Sequence, residues 1–476
     1  MPARKPPKRS ASHGETSSDS LVAALRALNE LAHRDLPDIA EGGALGERLR
    51  SHFGKDCTRL PSVAESFAPH EHPNVHLAVE ACLEGLQSEL LGLVSEQSGY
   101  GASIHFADLV APGRSVPREA PVEYANLRID EARVLACVQR GLFLVREGAN
   151  RLALLVQGPS RNFQSALTVE VMASERAQAE AFLSRVRAAM RQRNVYRGRV
   201  LTISSDRMEN LKIAIQHLPS VGREQIIFPA GLLDKIERQT IRFSGLSEKL
   251  RSAGRHLKRG VLLYGPPGTG KTFTAMYLAS QMVGRTVLVV TGRAMGLIEQ
   301  ACALARALQP ATVLVEDVDL IAEARGEGRD NSCNGVLFEL LNQMDGLGDD
   351  ADILFLLTTN RPDILEPALA ARPGRVDLAL EVPVPDAECR RRLLKLYAQG
   401  LTLEVTDAER FVQRTEGVSA SFIRELLRKA AVAAADEGTS MVVRDRHVDE
   451  ALHELLVEGG PLTRSLLGAG SVKARA

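Results

Sequence analysis

The chain has 476 residues, 45% hydrophobic and 25% charged, and its 59 Lys and Arg balance 59 Asp and Glu to a formal net charge of zero. That length accommodates two to four domains with ample core, and the balance of charge argues against a globally basic nucleic-acid binder. Six cysteines (Cys57, Cys82, Cys137, Cys302, Cys333, Cys389) lie far apart with no CxxC pair, which excludes an obvious disulfide framework or thiolate zinc site and suits a reduced, cytoplasmic protein.

Residues 1–19, rich in Pro, Ser, Lys and Arg, bury too little to offset ordering and are expected to be a disordered tail. Leu21, Leu25, Leu28 and Leu31 then recur at helical spacing, and Val75 to Val94 reads as a longer helix, so residues 20–116 are expected to be an N-terminal helical region. Residues 117–222 change period. Leu152 to Val156 is a short apolar run, and Leu167, Val169 and Val171 alternate with polar residues. A helix follows over Glu175 to Arg193, and Val200, Leu201 and Ile203 suggest another strand, so a small α/β middle domain is expected. Over residues 223–384, Gly260–Tyr264, Thr286–Val290, Thr312–Val315 and Ile353–Leu357 are apolar runs separated by helical stretches, the pattern of a parallel sheet covered by helices on both faces. Residues 385–476 read as a helical lid and C-terminal tail, with stripes at Leu393, Leu394, Leu396 and Tyr397 and at Ile423, Leu426 and Leu427. No stretch approaches the roughly 20 apolar residues of a membrane helix, and the first twenty residues lack the apolar centre of a signal peptide, so a soluble protein without a membrane segment is expected.

The strongest chemical signal is Gly265-Pro266-Pro267-Gly268-Thr269-Gly270-Lys271-Thr272, a full GxxxxGK[ST] between a strand and a helical stretch. Its glycines let backbone N–H groups approach phosphates, Lys271 reaches the β and γ phosphates of ATP, and the Thr272 hydroxyl would ligate Mg²⁺. Further on, Val313-Leu314-Val315 ends in Glu316-Asp317-Val318-Asp319, acids at the carboxyl end of a buried strand. We assign Glu316 to the metal and Asp317 to the attacking water.

With these motifs in place, the segment from about Gly260 to Asp386 resembles an AAA+ ATPase module of the AAA clade. Leu357-Thr358-Thr359-Asn360 resembles the sensor 1 strand, whose Asn orients the attacking water. Arg372-Pro373-Gly374-Arg375-Val376-Asp377 is similar to the second region of homology, whose arginine fingers, here Arg372 and Arg375, act on the neighbouring subunit's nucleotide. The resemblance therefore implies an ATP hydrolase using ATP and Mg²⁺ in a homo-oligomeric ring, a hexamer, acting on a protein client. Asp345-Gly346-Leu347 resembles the inter-subunit signalling motif and Gly417-Val418-Ser419-Ala420 the lid segment beside adenine. The usual strand-end order in the clade is Asp then Glu, reversed here. Thr291 to Leu297 offers no aromatic residue where the family's pore loop stands, leaving the loop Glu323 to Asn334 as the candidate for contact with the pore. Within the clade, the acid order, the lost aromatic and the approach segment Ile226-Ile227-Phe228-Pro229 through Arg259-Gly260 look most like the mitochondrial translocase of the folded Rieske iron–sulfur protein and its soluble bacterial chaperone-like relatives. The fold class expected is α/β: a P-loop NTPase parallel sheet with a C-terminal helical lid, preceded by a small α/β domain and an N-terminal helical region. The implied function is chaperone-like remodelling, with a weakly hydrolysing nucleotide-gated scaffold or an unfoldase serving a separate protease as alternatives.

Other clusters carry less. His70, Glu71, His72 and His76 form a local cluster in which Pro69 and Pro73 mark a loop, and they read as a solvated turn leading into the helix after Val75 rather than a zinc site. His453-Glu454 opens like a zincin helix, but Val457 breaks HExxH. Arg185, Arg187, Arg191, Arg193, Arg197 and Arg199 have no acid among them; they read as the polar face of an amphipathic helix with a charged turn rather than a phosphate-binding patch.

Overall fold

A computed structural model describes residues 43–95, 103–110, 117–130, 132–159, 166–205, 211–319, 335–348, 350–363, 376–438 and 442–458. The expected tail, the Leu21 to Leu31 helix, the loop Glu323 to Asn334, and Arg372 with Arg375 lie outside them. The chain divides into two compact units, one of Met1–Leu127 and Leu135–Arg193, the other of Arg128–Val134 and Asn194–Ala476.

The first unit is built on a seven-stranded sheet: β1 (Ser62–Phe67), β2 (Gln87–Val94), β3 (Arg118–Ala120), β4 (Glu123–Arg128), β5 (Val134–Glu147), β6 (Asn150–Gln157) and β7 (Leu167–Ala173). Its order is β1-β7-β6-β5-β2-β3, with β4 pairing β5, and the neighbours along that order run antiparallel. Alternate residues serve two cores. Leu152, Leu154 and Val156 pack under the helices His72–Leu83 and Arg176–Gln192, while Ala153 and Leu155 face the helices Gly43–Phe53 and Phe106–Val110. Burial on both faces is why β6 reads as an unbroken apolar run.

Two sequence expectations are corrected here. Residues 20–116 are not a helical region, because β1 and β2 fall inside them and join the same sheet as β5 to β7. The single helix expected over Val75 to Val94 is two elements. Helix His72–Leu83 stops at a turn where Gly85 takes a φ of 79°, and the apolar residues after it continue as a strand. A left-handed glycine ends a helix whatever the hydrophobic spacing beyond it.

The second unit holds the other seven-stranded sheet, formed by β8 (Val200–Ser205), β9 (Leu211–Gln216), β10 (Arg259–Tyr264), β11 (Thr286–Val290), β12 (Ala311–Val315), β13 (Ile353–Thr359) and β14 (Leu378–Glu381). The order is β14-β10-β13-β12-β11-β8-β9, parallel throughout except for the β8–β9 hairpin. Val261, Leu263, Val287, Val289 and Leu314 pack with the helix Lys271–Gln281, while Leu288, Val290, Val313, Val315 and Phe355 pack with helices Ile298–Ala307 and Gly335–Asp345. The strand Val200 to Ile203, expected in the middle domain, belongs to this sheet. It pairs with β11, and Leu201 and Ile203 are fully buried beside Leu288 and Val290. Strand propensity is local but the choice of partner is not, so only the pairing moves that boundary. The lid follows as helices Ala387–Tyr397, Ala408–Arg414, Ala420–Asp436 and Asp445–His453, with a short parallel pair, β15 (Thr402–Glu404) and β16 (Val442–Arg444), that the helical reading did not include. No helix among the described residues is long and apolar enough to cross a membrane.

Candidate nucleotide site

β10 runs into the loop Gly265 to Gly270, which opens the helix Lys271–Gln281. Gly265, Gly268 and Gly270 take φ of 148°, 74° and 99°. A Cβ at Gly265 would lie 2.2 Å from the Val382 carbonyl oxygen, and one at Gly268 would lie 2.7 Å from Ser419 Oγ. Both the backbone angle and the close approach of neighbouring chain therefore demand glycine. The lid rests directly on this loop, since Ser421 donates both its N–H (3.0 Å) and its hydroxyl (3.1 Å) to the Gly268 carbonyl. Ser419 caps the helix Ala420–Asp436 by accepting from the Phe422 N–H at 3.2 Å. The lid segment singled out from sequence is thus at the site.

Lys271, only 5% exposed, turns its ammonium back into the loop, donating to the carbonyls of Gly265 (2.9 Å) and Pro266 (2.8 Å). Burial pulls its pKa down to about 8, while the Asp317 and Asp319 carboxylates favour the charged form. Thr272 stands half-buried in the first turn of the helix.

The acids follow β12. Glu316 donates its N–H to the Val290 carbonyl at 3.2 Å, and its Oε1 is buried with no hydrogen-bond partner among the described residues. Burial, and secondarily Asp317, push its pKa up. Asp317 takes a φ of 48°, a left-handed conformation that costs a non-glycine residue roughly 1–2 kcal/mol. Its N–H donates to Thr358 Oγ1 (3.1 Å) and its Oδ1 accepts from Asn360 Nδ2 (3.2 Å). Burial and then Asp319 raise its pKa, opposed by Lys271 and the Asn360 bond. The phosphate loop, Glu316, Asp317 and Asn360 therefore converge at the carboxyl ends of three neighbouring strands, β10, β13 and β12, where open parallel sheets bind ligands. Sequence reading left unassigned the hydroxyls of Thr358 and Thr359 and the carboxylate of Asp319, whose only signal was their place at the strand ends.

Elsewhere, Asp345-Gly346-Leu347 closes the helix Gly335–Asp345, with the Gly346 N–H on the Asn342 carbonyl at 2.9 Å and Leu347 buried in the core. Within the first unit, His72 and His76 belong to a helix that begins at His72, before Val75, and both are buried rather than solvated. His72 donates from Nε2 to the Val138 carbonyl at 2.9 Å, and His76 Nε2 lies 3.3 Å from Glu80. Among the described residues no group of three or more His, Cys, Asp or Glu is arranged to hold a metal ion. Several arginines of the basic run find acids distant in sequence: Arg185 with Glu147 at 2.6 Å, Arg187 with Glu65 at 2.6 Å, and Arg199 with Asp130 at 3.0 Å.

A phosphate loop at the switch from β10 to a helix, faced by strand-end acids, defines the class as a P-loop nucleotide-binding domain. Residues 261–384 match the model of the ATPase family associated with various cellular activities (AAA), so the chain carries an AAA domain over that stretch. The similar curated proteins include the ATP-dependent zinc metalloprotease FtsH 2 of Symbiobacterium thermophilum, 34% identical over 227 residues, which cover 45% of this chain and 38% of that protein. The 26S proteasome regulatory subunit S10B homolog B of Arabidopsis thaliana is 35% identical over 199 residues, covering 39% of this chain and 50% of its own. The proteasome-activating nucleotidase of Pyrococcus horikoshii is 33% identical over 219 residues, covering 43% and 55%. The chain thus spans about half or less of the length of these relatives.

Proposed function

We propose that the protein is a hexameric ring ATPase of the cytoplasm that couples Mg²⁺-dependent ATP hydrolysis to remodelling or moving a protein client. The observation that carries this reading is the convergence of the phosphate loop with Lys271, Glu316, Asp317 and Asn360 inside a segment similar to AAA ATPases. The site suits a cation: Glu316 Oε1 is a buried oxygen with no partner among the described residues, and Thr272 offers a hydroxyl at the loop's end. Bound Mg²⁺ would neutralise charge on the β and γ phosphates, and Thr272 and Glu316 are the residues that would hold it. Lys271 exchanges two carbonyl acceptors for phosphate oxygens when ATP enters the loop. Asp317 accepts a proton from the water whose oxygen bonds to the γ phosphorus as the β–γ bridge breaks, and Asn360 holds that water in line. Arg372 and Arg375 reach in from the next subunit, where a cation of this kind is worth about 10³–10⁵ in rate.

The finer resemblance, to the Rieske-protein translocase group and its chaperone-like relatives, rests on the Glu316-Asp317 order, on Thr291 to Leu297, which offers no aromatic residue, and on the approach segment Ile226-Ile227-Phe228-Pro229 through Arg259-Gly260. The names of the relatives, which concern proteolysis, support an unfoldase as the alternative. The nucleotide-gated scaffold is favoured by one observation: Asp317 is a methylene shorter than Glu and spends its left-handed backbone on reaching Asn360. ATP turnover measured against protein concentration, with sizing of the ATP-bound form, separates the ring ATPase from the scaffold. Turnover that rises with assembly and collapses in Arg375→Ala supports the ring ATPase, and assembly without turnover supports the scaffold. Lys271→Ala is expected to lose nucleotide binding and Glu316→Gln to hold ATP without turnover; normal turnover in either overturns the assignments.

A further inference from the structure

We propose that Asp319 is a positioning residue for the hydrolytic step, fixing Asn360 so that its amide meets Asp317; the inference rests on the ATPase reading above. Asp319 is 4% exposed, and its Oδ1 accepts two hydrogen bonds, from the Thr359 hydroxyl at 2.8 Å and from the Asn360 N–H at 3.1 Å. The same Thr359 oxygen accepts the Arg361 N–H at 3.0 Å, so the backbone on both sides of Asn360 is held from one carboxylate. Two further bonds clip the chain after β12 to β13: the Val318 N–H to the Thr358 carbonyl at 3.0 Å and the Asp317 N–H to Thr358 Oγ1 at 3.1 Å. With its main chain pinned in this way, Asn360 keeps only side-chain torsions free, and Nδ2 comes to rest 3.2 Å from Asp317 Oδ1. Asn360 leaves the end of a strand for a loop, where no ladder bond would hold it. A displacement of about 1 Å in such a group is enough to cost two orders of magnitude in rate.

The test is steady-state ATP turnover and equilibrium nucleotide binding for Asp319→Ala, Asp319→Asn, Asn360→Ala and the double variant Asp319→Ala/Asn360→Ala. Asp319→Ala is expected to lower kcat about 10- to 100-fold with KM and nucleotide affinity changed by less than about threefold. Asp319→Asn keeps an acceptor oxygen and is expected to restore most of that loss. The double variant is expected to be no slower than Asn360→Ala alone, because the two side chains act as one unit. Multiplying losses in the double variant, an affinity loss that parallels kcat, unchanged kcat in Asp319→Ala, or an Asn variant as slow as the Ala variant would each overturn the proposal. Should Asp319→Ala fail to fold, Thr359→Val, which withdraws one of the two donors, carries the same prediction at a smaller factor. Absence of turnover in the unmutated protein would instead refute the ATPase reading. The Asn360 side-chain amide resonance then decides the positioning: it moves to the value of a solvated amide in Asp319→Ala if Asp319 holds it and stays put if it does not.

Discussion

Removing Asp352 is expected to destabilise the second unit severely while leaving the nucleotide site intact. Arg285 and Asp352 form an ion pair at 2.6 Å with side chains 5% and 8% exposed. The guanidinium also donates to Thr312 Oγ1 (3.3 Å), to the Asp352 carbonyl (3.1 Å) and to the Ala311 carbonyl. Arg285 immediately precedes β11, Ala311 opens β12 and Asp352 immediately precedes β13, so the pair staples three strands at the end opposite the phosphate loop. Asp352→Ala strands a buried cation, a change that costs about 3–5 kcal/mol. Arg285→Met falls at the low end of that range, because Arg251 still stands 3.9 Å from the remaining carboxylate. Arg285→Met/Asp352→Leu removes both charges and is expected to recover most of the loss, since apolar replacement of buried pairs is often neutral or better. The assay is urea unfolding of the full chain, followed by fluorescent-nucleotide binding to the folded variants. A single-variant loss below about 1 kcal/mol, or a double variant no better than Asp352→Ala, would refute the argument that this pair is desolvated and dependent on its partner.

Gly268→Ala places a Cβ against Ser419 and Ser421 at a φ of 74°, and is expected to weaken ATP binding at least about tenfold by pushing the lid from the loop; an unaltered titration would show that the lid does not rest there. The first unit should lose stability in mild acid. Burial lowers the pKa of His52, His72 and His76, so below pH 6.5 the unfolded chain takes up protons that the fold refuses, and stability present above that pH falls as it drops. Thermal unfolding between pH 7.5 and 5.5 should show this decline, shallower in His72→Gln; identical slopes would remove His72 from the account. In the second unit, Glu237 accepts from Tyr277 (2.6 Å) and Arg223 (2.8 Å), and those bonds hold its pKa below 4.5 despite burial. Its contribution is present above pH 4.5 and lost as the pH falls through the lowered value, so Glu237→Gln should flatten the acid limb of the unfolding curve, and an unchanged limb would contradict it.

Where a signal is local, the sequence was sufficient. The phosphate loop needs glycine at Gly265 and Gly268 because of backbone angle and clearance, and those requirements show in the residues themselves. The strands Thr286–Val290 and Ala311–Val315 are apolar on both faces because helices cover both, so they appear as unbroken runs. The long β5 went unread although its buried run Leu142–Val145 is as apolar as the strands that were read, and β2 was mistaken for a continued helix because the left-handed turn at Gly85 separates the two. Tertiary structure alone decided which sheet each strand joined: β1 and β2 pair with strands far along the chain, and β8 leaves its sequence neighbours to extend the nucleotide-binding sheet. It also decided the inner wiring of the site, where the Thr358 and Thr359 hydroxyls and the Asn360 N–H at the end of β13 meet Asp317 and Asp319, some forty positions earlier in the chain. Hydrogen bonds between strand ends depend on register, and register is a property of pairing that no single segment encodes.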